Sequence, residues 1–513
     1  MGTVMTDTLN RSAAASAQGA ASAQGATSAR GAASARGRTG VVRDSSVDAI
    51  RIVLLVAVFA LHAMMCGVSV GAGGPVLRNA LEGQAWFGPV SWVVQIMPLF
   101  FIAGGFSSLH HWRSMRSRGA TPADYVRSRL ERLVRPAIAL VVVVAGGLVA
   151  LSLAGLPAEL VATAGFRIGQ PLWFLGVYVA ISALVPIMLR AHERARVLTP
   201  LALLAAVVAV DVVRLSTGVE AIGYLNLLLV WLLVQQLGFH LADGSVDRLS
   251  RPTLWGIAAA ALALLAVLTV VGPYPVDMLE NLNPPSVCLV VLGIAQLALF
   301  QLARPYISAW VERADASRLI SSVGERAMTV YLWHMPVLIV LAGLGLAANA
   351  GFGLPLPEPL SLEWWATRPL WLGVAAAAVV PIALVFGRFE RARRRSAERS
   401  RASAGMTAID ALCGVAGVAL LLVAGFGPVP AVIALALLSI ALVGSARVRA
   451  LARRVTRPTG HLGGALDSDL TRWERVWNRS ADADISLYGR IRRIVEDRGS
   501  TWSGFARTST DFS

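Results

Sequence analysis

The chain contains no lysine, so its 46 basic side chains are all arginine. Charge of either sign is scarce: 15% of residues carry it, where a soluble domain has about 25%. That shortfall excludes an ordinary soluble enzyme and a disordered protein. Three cysteines in 513 residues, Cys66, Cys288 and Cys413, exclude a disulfide scaffold and show no metal-ligand spacing. Each lies in an apolar run and reads as a small buried hydrophobe. No phosphate-binding glycine loop, no Gly-x-Ser-x-Gly elbow and no HExxH zinc motif is expected. An ATP-driven pump is disfavoured on that ground.

Apolar surface is what the chain has in excess. Apolar residues make up 56%, and the mean hydropathy is +0.64. Crossing ~30 Å of hydrocarbon takes ~20 residues. Twelve candidate spans follow one another, at roughly 50–70, 90–109, 133–153, 171–190, 198–213, 222–241, 254–272, 286–303, 327–348, 370–387, 407–425 and 429–446. The fold class expected is all-α integral membrane.

Arginine placement checks this count, because inside-facing loops are basic. The N-terminal segment holds Arg11, Arg30, Arg36, Arg38 and Arg43, and the loop after span 2 holds seven arginines from Arg113 to Arg135. Further basic loops follow spans 4, 6 and 8, and the densest cluster, Arg388 to Arg401, follows span 10. The intervening loops carry one arginine at most, such as Arg78, Arg167, Arg214 or Arg368. The alternation predicts a multi-pass membrane protein with both termini in the cytoplasm, and heavy use of Ala, Gly, Val and Arg points to a bacterial source and so to its plasma membrane. The net charge of +16 then belongs to inside loops, and no nucleic-acid partner is expected.

Residues 1–46 repeat the pattern ASAQGA with period six and read as a disordered cytoplasmic tail without the apolar core of a signal peptide. Residues 391–446 hold a basic linker and two spans, and 447–513 form a second cytoplasmic tail. Within that tail, Leu470–Asp497 carries apolar residues among arginines and acids, as a membrane-surface helix or a solvated tail would.

Ionisable groups inside spans are costly, and each is a functional candidate. Span 1 and its entry contain Asp48, Arg51 and His62. Arg51 and His62 are eleven residues apart, which places both on one helix face about 16 Å apart along the axis. A long anionic substrate fits that spacing: arginine at the mouth holds phosphate, and a deep neutral imidazole is a general base. The bland reading is an inside-facing anchor and a helix-tying histidine. Gly104 and Gly105 in span 2 offer close helix packing or room for a ligand. In the following loop, Arg129, Arg132 and Arg135 repeat at i, i+3 spacing, as a phosphate patch or as topology-setting charge. Trp173 and Tyr178 open span 4 as an aromatic belt. Asn226, Gln235, Gln236 and His240 in span 6, and Gln296 and Gln301 in span 8, read as ties between helices. Span 9 carries His334 beside Pro336, which frees a backbone carbonyl.

Five segments together resemble the bacterial membrane-bound acyltransferase-3 family: Arg51-x10-His62, MPLFFIAGGF from Met97, RLERLVRP from Arg129, PLWFL from Pro171, and YLWHMP from Tyr331. They occur in the family's order over about residues 47–390. Ile52 follows Arg51 where many relatives have glycine, and Gly104 stands in place of a serine.

The resemblance implies an acyltransferase membrane domain of about ten helices over 47–390, with two added C-terminal spans. It implies an O-acyltransferase that moves an acetyl or short acyl group from cytoplasmic acyl-CoA. The acceptor would be a hydroxyl of a cell-envelope glycan, glycolipid or secondary metabolite. His62 would be catalytic, and Arg51, Arg132, Arg135, Trp173 and His334 would bind substrate or acyl-CoA. No cofactor is expected beyond acyl-CoA as co-substrate, and no metal. Besides the donor and a glycan or lipid-linked acceptor, the partner is the bilayer. A polytopic transporter or flippase is the rival reading. It would favour internal repeats with paired broken helices, and no such self-similarity is evident.

Overall fold

The computed structural model describes residues 44–71, 74–390 and 404–444. The hexad repeats, the arginine cluster beyond Glu390 and the Leu470–Asp497 stretch lie outside the described residues. The chain divides into Met1–Ser445 and Ala446–Ser513, and every described residue belongs to the first unit.

The long helices follow from apolar runs punctuated by caps. Helix α1 (Ser45–Met65) starts at Asp44, whose carboxylate accepts from the amides of Ser46 (3.0 Å) and Val47 (3.1 Å). The same carboxylate binds Arg304. Burial opposes its ionisation, but these partners outweigh that and hold Asp44 below the usual carboxylate range. Span 1 was expected to run to residue 70. Instead the helix ends at Met65, and Cys66–Gly71 (β1) pairs antiparallel with Gly74–Asn79 (β2). CGVSVG holds two glycines, which weaken a helix interior, and two β-branched valines, which suit a strand.

The chain continues through α2 (Phe87–Val94), α3 (Met97–Ser117), α4 (Pro122–Leu153), α5 (Ala158–Gly169) and α6 (Leu172–Arg194). Next come α7 (Leu198–Thr217), α8 (Asn226–Ala242), α9 (Arg251–Ala266), α10 (Val287–Arg313) and α11 (Ser317–Gly324). The last are α12 (Ala327–Phe352), α13 (Leu362–Phe386), α14 (Ala404–Ala424) and α15 (Pro428–Val443). Among the described residues, eleven helical segments are long and apolar enough to cross a membrane, with α2–α3 and α5–α6 each forming one crossing. The protein is an all-α, multi-pass membrane protein. The twelfth expected span, α15, has 16 residues and reaches about 24 Å at 1.5 Å per residue.

Two glycines set the closest helix crossing. A Cβ on Gly105 of α3 would lie 2.5 Å from the Gln235 carbonyl oxygen, and one on Gly238 of α8 would lie 2.2 Å from that of Ile102. Only glycine lets these two backbones touch. The break between α2 and α3 is bridged from α10, where Gln296 accepts from Leu99 N–H (3.0 Å) and donates to the Gln95 carbonyl (2.8 Å). The span-8 amide thus ties helices, as expected. Asp211 in α7 is buried, and takes the Asn226 amide (2.9 Å), the Tyr274 hydroxyl (3.1 Å) and the Val287 N–H at the start of α10 (2.8 Å). The added helices pack against the rest through small contacts: Cβ atoms on Gly176 of α6 and Gly169 of α5 would meet Val418 and Phe426 at 3.4 Å.

Candidate active site

Helix α4 begins with a capping box, Thr121 and Asp124 exchanging side-chain and backbone hydrogen bonds, with Pro122 in the first turn. That fixes the helix that carries the loop arginines. The cavity beside it measures about 460 Å³ and is lined by Arg51 of α1 and by Arg129 and Arg132 of α4. Arg129 donates to the Tyr125 hydroxyl (3.2 Å) and to Ser108 (3.1 Å). Arg132 approaches Glu390 at 3.9 Å. His110 and His111 of α3 complete this polar mouth.

Four carboxylates also border the cavity: Asp44, Asp48, Glu325 and Glu390. Two are committed. Asp44 caps α1 and binds Arg304. Glu390 caps α12, accepting from Thr329 N–H (3.0 Å), Thr329 Oγ1 (3.0 Å) and Met328 N–H (3.2 Å). Burial outweighs these partners and Arg132, so the Glu390 carboxyl is raised above its usual range.

The deep end of the cavity is apolar and aromatic, formed by Leu55, Phe100, Phe174, Tyr178 and Tyr331. Phe174 meets Phe100 and Tyr331 edge-on, at 5.1 and 4.9 Å between centroids. Behind Tyr331 lies His334, 5.6 Å away, and behind it His62, whose ring is 4.9 Å from that of His334. The expected pair Arg51 and His62 therefore sits on one unbroken helix, with Arg51 at the cavity and His62 beyond its aromatic floor.

Hydrogen bonding fixes the tautomers. His62 Nδ1 faces the Val58 carbonyl oxygen at 2.9 Å, and His334 Nδ1 faces that of Tyr331. A carbonyl only accepts, so both Nδ1 atoms carry a proton, and each ring when neutral presents a bare Nε2. An unprotonated Nε2 can take a proton from a hydroxyl.

Not every expected residue converges. Arg135 turns along its own helix to Glu131 (3.9 Å) and does not line the cavity. Trp173 packs on Phe174 and Trp231, with centroids 6.2 and 6.0 Å away, one layer behind the cavity wall. Arg129, read from the sequence as part of a candidate phosphate patch, lines the cavity, and His110, His111 and Glu390 join it without having been singled out. The signal for His110 and His111 was the polar SSLHHW end of an otherwise apolar span. Gly67–Gly71 spells the Gly-x-Ser-x-Gly of a hydrolase elbow, but Ser69 lies mid-strand opposite Val76, not at a strand-to-helix turn.

A separate knot joins α6 to the end of α8. His192, His240 and Asp243 bring ligand atoms within 4.8 Å of one another. Asp243 already receives Arg196, His192 (2.9 Å) and the Ser245 N–H (3.0 Å). Burial alone would raise this carboxyl, but the Ser245, His192 and Arg196 bonds bring it down to about 2. Arg196 supplies the cation there.

A cavity among apolar helices with a cationic mouth, an aromatic floor and two imidazoles behind it has parts that a group-transfer enzyme could use. The sequence matches the acyltransferase domain family Acyl_transf_3 over residues 44–388, more than half of the chain, and the protein belongs to that family. It is a membrane acyltransferase, and the transporter reading is not favoured. Neither a curated protein nor a solved structure matches it.

Proposed function

We propose that this enzyme moves an acetyl or short acyl group from cytoplasmic acyl-CoA to a hydroxyl of a cell-envelope glycan, glycolipid or secondary metabolite. The observation that carries the reading is one line of contacts: three arginines around a cavity, an aromatic floor, then His334 and His62. Arg51, Arg129 and Arg132 hold the donor's phosphates by charge-assisted hydrogen bonds. Arg135 adds positive field from the flank. The pantetheine arm runs along α1 toward His62, a rise of about 16 Å over eleven residues. Phe174 and Tyr331 give way to admit the thioester, and Trp173 backs that wall. No cofactor beyond the co-substrate takes part. His62 Nε2 takes the acceptor's hydroxyl proton as the oxygen attacks the thioester carbon, and the thiolate leaves with a proton. The enzyme works in the plasma membrane with both termini in the cytoplasm.

Coenzyme A binding to the purified protein tests the donor half. Arg51→Ala and Arg132→Ala should each weaken it by about 10–100-fold, the worth of a hydrogen bond to a charged group. Unchanged binding in both variants contradicts the assignment.

A further inference from the structure

His334 is 1% exposed, and its Nε2 has no hydrogen-bond partner. Leaving a buried acceptor unpaired costs about 1–3 kcal/mol. Such groups are few in folded proteins, and each needs a reason. The usual reason for a buried imidazole is a partner on both nitrogens, and here Nδ1 has one in the Tyr331 carbonyl while Nε2 has none. The nearest ring is His62, 4.9 Å away and inclined at 66°. Its Nδ1 is committed in the same way, to Val58. When both rings are neutral, two acceptor nitrogens thus belong to neighbouring rings, and that of His334 is buried without a partner.

The arrangement is idle while both rings are neutral, since neither Nε2 has a proton to share. It changes when one ring gains a proton. We propose that His334 is a second catalytic residue, whose Nε2 accepts a hydrogen bond from the proton that His62 takes up during transfer. The proposal rests on the acyl-transfer reading. The acceptor's O–H bond breaks, and its proton goes to His62 Nε2. The oxygen's electron pair forms the C–O bond at the thioester carbon, the C–S bond breaks, and the sulfur leaves with that electron pair. The proton then passes from His62 to the thiolate, which returns both rings to neutral and releases a thiol and an ester. Between the two proton transfers His62 is an imidazolium in apolar surroundings, where unshared charge is costly. His334 shares it through a charge-assisted N–H···N bond. That bond exists only once the proton has moved, so it acts on kcat and not on donor binding.

The test uses the full-length protein in membranes, with labelled acetyl-CoA and three changes at His334. His334→Phe and His334→Leu remove the acceptor, and His334→Gln places a carbonyl oxygen near the former Nε2. Coenzyme A binding reports folding. The expected result is a kcat lower by about 10–100-fold in Phe and Leu, with unchanged coenzyme A binding and partial recovery in Gln. Wild-type kcat in a folded Phe or Leu variant overturns the proposal. Loss of coenzyme A binding in both, with Gln no better, marks a packing role and overturns it too. His62→Ala separates the two levels: if it is inactive while His334→Phe is fully active, only this proposal fails. If His62→Ala is active as well, the acyl-transfer reading fails with it.

Discussion

The hydroxyl of Tyr331 donates to the carbonyl of Pro171, fastening α12 to the first turn of α6 at the floor of the cavity. Tyr331 lines the cavity, and its ring lies 5.6 Å from that of His334. In the proposed function a donor that reaches the histidines passes this ring, which makes Tyr331 the proposed limit on acyl size.

Tyr331→Ala should therefore widen acyl preference. Turnover of propionyl-CoA relative to acetyl-CoA should rise about tenfold, the worth of accommodating one extra methylene. Competition between the two labelled donors measures this, and an unchanged ratio contradicts the role.

Arg129 should prove a donor ligand that lysine cannot replace. Its guanidinium donates to Tyr125 and Ser108 while facing the cavity, and lysine lacks that planar fork. Both Arg129→Ala and Arg129→Lys should weaken coenzyme A binding by about tenfold or more. Full binding by the lysine variant would show that charge alone suffices.

Gly105→Ala should destabilise the protein far more than Gly104→Ala. A methyl at Gly105 meets backbone at 2.5 Å, whereas one at Gly104 meets the Tyr178 ring at 3.3 Å. The first forces α3 and α8 apart, at a cost of about 1–3 kcal/mol. Thermal unfolding in detergent compares the two, and equal midpoints contradict the crossing described.

Asp243 should make the protein acid-sensitive in a defined window. Its carboxyl is depressed from 3.8 to about 2 in the folded state. A depressed carboxyl stabilises the fold above its unfolded value, and that stability is lost as pH falls from about 4 toward 2. Asp243→Asn should be less stable than wild type at pH 6, and the difference should shrink on acidification. A constant difference contradicts this.

Much of this architecture is legible in sequence, for a physical reason. A helix that crosses lipid must be apolar throughout and long, so the spans and the Arg51–His62 alignment can be read from period and length. The arginine patch is half legible. Each i, i+3 step falls about 60° short of a turn, so Arg129 and Arg132 share the cavity while Arg135 has rotated to Glu131. The hairpin after Met65 is hidden because its valines continue the hydropathy of α1. The His62–His334 contact joins residues 272 positions apart, and nothing local marks it. Glu390 is likewise found only through the helix that it caps.

The most direct measurement is label transfer in inside-out membrane vesicles supplied with labelled acetyl-CoA, comparing wild type with His62→Ala. Wild-type vesicles should place label on an envelope glycan or lipid, and His62→Ala vesicles with equal protein should place none. Equal incorporation by the two would contradict the role of His62 and the account built on it.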